Sequence, residues 1–112
     1  MPEPRLTTAA THILLSLGAG ERHGYAIMTE VAAVTRGAVR LGPGTLYTTL
    51  ARLEADGLIE ESDQRPDPAL DDQRRRYWRL TPRGRAVAVA EVERMTALVE
   101  RARPWATRET GA

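Results

Sequence analysis

Apolar residues recur along the first part of the chain at helical intervals. Leu6, Ala9, Ala10, Ile13, Leu14 and Leu17 recur at spacings of three and four residues along one stripe, which predicts a one-sided helix from about Thr7 to Leu17. The glycine-punctuated stretch "GAGERHG" breaks the pattern, and Tyr25, Ile27, Met28, Val31, Ala32 and Val34 then mark a second helix of about ten residues. A third begins at Pro43, whose fixed φ and missing N–H suit a first helical turn, and stops at Gly57, a residue that accepts the left-handed conformation closing many helices. Beyond Gly57 the pattern shortens. "LIEESDQ" and "RRRYWRLT" flank the Pro- and Asp-bearing turn "RPDPALDD" and predict a β-hairpin. Thr81 as N-cap and Pro82 in the first turn open a last helix, with apolar residues at helical spacing from Ala86 to Ala102 and a flexible tail expected over 104–112.

This order of three helices, a hairpin and a helix predicts a mostly α protein with a small β-hairpin. It is the order of a winged helix-turn-helix domain over residues 1–81, followed by a C-terminal dimerisation helix over 82–103. On a wheel of 100° per residue, Leu46, Leu50 and Leu53 form the buried stripe of the third helix. The opposite face holds Gly44, Thr45, Thr48, Ala51 and Arg52. It lacks the acid–base pairs of an ordinary solvated face and offers small hydroxylated side chains with one arginine. Small residues let a helix enter a major groove, threonine hydroxyls reach phosphates or base edges, and arginine suits guanine.

Composition narrows the alternatives. The 112 residues match one compact domain, with a 42% hydrophobic share able to supply a core. No run approaches the roughly 18 apolar residues of a membrane span, and the N-terminus lacks the features of a signal peptide, so a soluble cytoplasmic protein is expected. With no cysteine and only His12 and His23 as histidines, the chain offers no thiolate nucleophile, no recognisable catalytic triad and no metal-ligand spacing. No Gly-rich phosphate loop follows a strand, so neither an enzyme nor a cofactor is expected. Net charge is only +1, but the distribution is uneven. Residues 61–85 hold seven arginines against five acids, while residues 1–60 hold five against six.

Three stretches, "HGYAI", "GTLYTTLARLEADGLI" and "RRRYWRLTPRG", closely resemble the PadR family of transcriptional regulators across Leu6 to Ala90. The resemblance implies a homodimeric repressor binding a palindromic double-stranded DNA operator and often answering to a small aromatic effector. It makes Thr45, Tyr47 and Thr48 candidate DNA contacts beside Gly44 and Arg52, with His23 and Tyr25 at the start of the supporting helix. His23 suits a phosphate contact, a helix cap or a simply solvated ring, Tyr25 either DNA or core, and Tyr47 a ring packed on the core with its hydroxyl turned outward. Thr48 stands where the family commonly has proline. The turn also carries Asp67, Asp71 and Asp72, which argues against that tip lying on phosphate.

Arg74, Arg75 and Arg76 are consecutive on a strand, so their side chains alternate between faces and cannot share one role. At least one is expected on phosphate or in the minor groove, another paired with wing acids, while Trp78 and Leu80 face inward. In the last helix Val92 and Val99 fit one seam position of a heptad and Ala88, Met95 and Ala102 the other, with Val89 and Leu98 widening the stripe. That width suits both the first helix and a second copy of the chain. Trp105 is open to two readings: apolar cover for its own or a partner's core, or, as the resemblance implies, a stacking site for an aromatic effector. The rival reading of the whole chain is a winged-helix module that uses its third helix against another protein.

Overall fold

Thr7 closes the first turn of helix α1 (Thr8–Leu17): its Oγ1 accepts the Ala10 N–H at 3.0 Å. The computed structural model describes residues 6–62 and 76–110. Ile13, Leu14 and Leu17 of α1 are fully buried, as the stripe requires. Strand β1 (Arg22–His23), helices α2 (Gly24–Val34) and α3 (Pro43–Ala55), strands β2 (Ile59–Ser62) and β3 (Tyr77–Leu80) and helix α4 (Pro82–Thr110) follow. The order is that of a winged helix, mostly helical with a small antiparallel sheet.

Hydrophobic burial holds these elements around one core. Leu46, Leu50 and Leu53 turn inward from α3 and meet Ile13, Leu14, Ile27, Val31, Leu58, Ile59 and Trp78 in one cluster. The sheet has three strands in the order β1-β3-β2, all antiparallel. The third strand is a correction to the predicted hairpin. β1 pairs Arg22 with Trp78 and His23 with Tyr77, and two residues are too few to show a period in sequence. Its position is fixed by side chains. Arg22 donates to the Ser16 carbonyl at 3.0 Å and pairs with Glu30 at 3.1 Å, and Ser16 Oγ donates to Glu30 at 2.6 Å, so α1, β1 and α2 share one polar lock. Trp78 points inward, while Arg79 on the other face pairs with Glu60 across the ladder at 2.8 Å.

The corner after α3 and the start of α4 are built together. Gly57, at φ 77°, ends the α3 segment. Thr81 Oγ1 donates to the Gly57 carbonyl at 2.6 Å and accepts the Gly84 N–H at 2.9 Å, so one hydroxyl both caps α4 and ties it to that corner. Further along, Thr11 of α1 and Arg94 bear on Glu91. The Arg94 hydrogen bond is the main reason that this carboxylate titrates below its usual range, with Thr11 adding to the shift.

Helix α4 departs from expectation in two ways. It continues through Pro104 and Trp105 to Thr110, where the sequence pattern stops it at 103. Proline removes one donor, the bond that would reach the Glu100 carbonyl, and helix-favouring residues on both sides carry the helix past that gap. Ala88, assigned from the heptad to a dimer seam, is instead buried with Val87 in the core of its own chain. The stripe beyond it is uncovered: Val92, Leu98 and Val99 are each about half exposed, and Trp105 is 65% exposed.

Candidate nucleic-acid interface

The outer face of α3 follows from its sequence. Three leucines anchor one side, so Gly44, Thr45, Thr48, Ala51 and Arg52 all stand exposed on the other. Gly42 caps the helix without a side-chain hydrogen bond, and Pro43 brings no N–H. The first turn therefore presents small residues and backbone donors with open space over Gly44. Arg52, on the same face, makes no ion pair with any described residue.

Tyr47 sits at the margin of this face and is 51% exposed. Its phenol lies over Gly24, where an added Cβ would come within 3.0 Å of both the Tyr47 hydroxyl and the Leu46 side chain. Gly24 thus allows α2 to approach α3 closely. Its φ is not in the left-handed region, so the need for glycine there is space.

The start of α2 extends the surface. His23 Nδ1 accepts the Ala26 N–H at 3.2 Å, so the helix-cap alternative holds and the ring proton belongs on Nε2. Tyr25 is 69% exposed, which removes the core alternative. Its ring stacks beside His23 at 6.4 Å between centroids, and His23 meets Tyr77 of β3 edge-on at 5.4 Å. A line of rings with polar edges therefore runs from α2 to the wing strand, next to Tyr47.

Of the three wing arginines, Arg74 and Arg75 lie outside the described residues. Arg76 is described and engaged. It donates to Glu61 on β2 at 2.8 Å, and its guanidinium lies 4.8 Å from the Trp78 ring centroid. The hydrogen bond to Glu61 is the chief reason that the guanidinium holds its proton even more tightly than usual, and Glu54 and Tyr47 of α3 act in the same direction. The acid that pairs with it is a wing acid, on the neighbouring strand β2. Position 61 is distant from 76 in sequence, and only the β2–β3 register joins them.

The matched family model, the transcriptional regulator PadR-like family, covers residues 13–90. The chain belongs to the PadR-like family of transcriptional regulators. It is 43% identical over 103 residues to the transcriptional regulator Rv3488 of Mycobacterium tuberculosis, covering 92% of this chain and 87% of that relative. Among solved structures it is similar to a transcriptional regulator from Clostridium thermocellum, with a TM-score of 0.69 and 26% identity over 88% of this chain and 89% of the other. A PadR family regulator from Clostridium difficile shares the fold, with a TM-score of 0.70 at 21% identity, over 88% and 98% of the two chains. The PadR-like chain is a transcriptional regulator, not an enzyme. Within the stretch "RRRYWRLTPRG", Thr81 and Gly84 are the residues that seat α4. The family model ends inside α4, before Val92, so the exposed half of that helix lies beyond the matched residues.

Proposed function

We propose that this PadR-like regulator is a sequence-specific DNA-binding repressor acting in the cytoplasm, with two copies of α3 reading a palindromic operator. The carrying observation is the outer face of α3, where Gly44, Thr45, Thr48, Ala51 and Arg52 are all exposed above three buried leucines. Such a face has the width and the donors for a major groove, with Arg52 suited to guanine and the threonines to phosphate or thymine methyl. His23, Tyr25, Tyr47 and Arg76 supply flanking groups that position the helix.

The homodimer is supported by α4. Met95 and Ala102 are half-buried within a stripe whose edges, Val92, Leu98 and Val99, are exposed. The stripe continues into an apolar groove of about 230 Å³ lined by Leu14, Leu15, Ala88, Val89 and Val92. A second copy related by a two-fold axis would cover both. Trp105 stands at the far end of this surface, where a planar aromatic effector would stack.

Selection from random duplexes tests the reading. It should return a two-fold symmetric site with half-sites about one helical turn, roughly 34 Å, apart. Arg52→Ala should cost about 1–3 kcal/mol of discrimination at one base position. Binding without sequence preference or salt dependence would assign α3 to a protein partner instead.

A further inference from the structure

The segment between α2 and α3 carries two arginines outside the surface described above. From Val31 to Leu53 the chain contains Arg36, Arg40 and Arg52 and no acidic residue, the longest acid-free run in a sequence holding 15 acids. Arg36 and Arg40 are exposed, and neither forms an ion pair with a described residue, whereas Arg22, Arg76, Arg79, Arg94 and Arg103 are each paired.

The loop holds these two side chains in place. Thr35 Oγ1 donates to the Val31 carbonyl at 2.8 Å and accepts the Val39 N–H at 3.0 Å, and the Gly37 N–H reaches the Ala32 carbonyl at 2.7 Å. Arg36 has φ 51°, the one described non-glycine residue with positive φ. An L-residue is unfavourable there, and glycine or asparagine would sit more easily, so the position keeps a cation against its backbone preference. Arg40 lies back across Gly37, where an added Cβ would approach its guanidinium to 2.9 Å. Glycine at 37 therefore serves both its own φ of 80° and the placement of Arg40. Leu41 is buried and Val39 packs against the core, so the backbone on both sides of Arg40 is anchored and its side chain is left outside.

This anchored loop ends at Gly42, the N-cap of α3. A helix whose first turn enters a major groove about 12 Å wide must bring the residues just before it across the groove's phosphate wall. We propose that Arg36 and Arg40 grip the DNA backbone at that wall, as a sequence-independent anchor separate from the base-reading face of α3 and from the wing. The proposal rests on the DNA-binding reading above. Guanidinium groups with no ion pair to a described residue match phosphate in charge and geometry, and an anchored loop loses little freedom when they engage.

Salt titrations of full-length Arg36→Gln, Arg40→Gln and the double variant decide the matter. The probes are a random-sequence duplex and the tightest duplex from selection. Each substitution should flatten the log affinity against log salt line by about 0.9 and weaken both duplexes by the same factor. Arg101→Gln, on the exposed half of α4, should leave the slope unchanged. Arg36→Gly, which relieves the left-handed strain, should lose as much DNA affinity as Arg36→Gln without lowering Tm. The proposal is overturned if the folded double variant keeps the wild-type slope, if Arg101→Gln flattens it equally, or if the loss appears on the selected duplex alone. Wild-type protein that binds neither duplex would overturn the DNA-binding reading itself, whereas wild-type binding with an unaltered double variant overturns only the anchor.

Discussion

The backbone carbonyl of Leu58 occupies the space into which a side chain on Gly84 would project. Helix propensity alone predicts that Gly84→Ala gains up to about 1 kcal/mol. The contact predicts the reverse, because the obstruction is main chain at Leu58, just before β2, and cannot rotate aside. We expect Gly84→Ala to destabilise by about 3 kcal/mol, within the range for overpacking a core, as read by urea or thermal unfolding. A neutral or stabilising result would mean that α4 shifts freely against the α3–β2 corner.

His23 supplies a second stability prediction because its ring caps α2 while stacking beside Tyr25 and meeting Tyr77 edge-on. His23→Ala should cost about 1 kcal/mol from the lost cap. His23→Asn, whose side chain can accept the same N–H, should recover most of it without restoring the ring contacts. Comparing the two variants by unfolding and by DNA affinity separates the cap from the surface: equal stability with unequal affinity would assign the imidazole to binding.

What the sequence made legible was whatever repeats or punctuates. Leu46, Leu50 and Leu53 recur at helical spacing, Pro43 and Gly57 bracket α3, and Thr81 with Pro82 opens α4. Contacts between distant residues left no such trace. β1 has only two residues and owes its place to Trp78 and Tyr77, far along the chain. Gly24 and Gly84 look like any turn or helix glycine until α3 and β2 are set against them. The apolar stripe of α4 was visible as a stripe, but its division was not: Ala88 belongs to the core of its own chain because α1 covers the first turns of α4. Arg76 has the same lesson in electrostatics, since its partner Glu61 is its neighbour only through the hairpin register.

Val99 tests the exposed stripe. It is 52% exposed on one chain, and a two-fold partner would bury it twice. Val99→Asp would then place an unpaired carboxylate in each half of the interface, where desolvation is costly. The variant should keep its fold, sediment as a monomer and lose operator affinity, because the two half-site contacts are no longer linked. A dimer of wild-type affinity would remove Val99 from the seam.

Trp105 completes the test, since it and Leu98 lie seven residues apart on one face of α4, both exposed on a single chain. Trp78 is only 2% exposed, so the difference between wild-type and Trp105→Phe emission isolates the indole of Trp105. If a second copy covers α4, that difference spectrum should be shielded from a soluble quencher in wild type and open to it in Val99→Asp. Effector binding makes a further demand. A planar aromatic compound should quench Trp105 saturably, lose that effect in Trp105→Phe, and weaken operator binding over the same concentration range. The last requirement follows from linkage: a ligand changes DNA affinity only by binding the DNA-competent and DNA-incompetent states unequally, and the coupling must be equal in both directions. Saturable quenching with unchanged operator affinity would make Trp105 a binding surface without a regulatory role. Shielding that depends on the dimer, with no quenching by any planar aromatic compound, would make it a packing residue of the α4 interface.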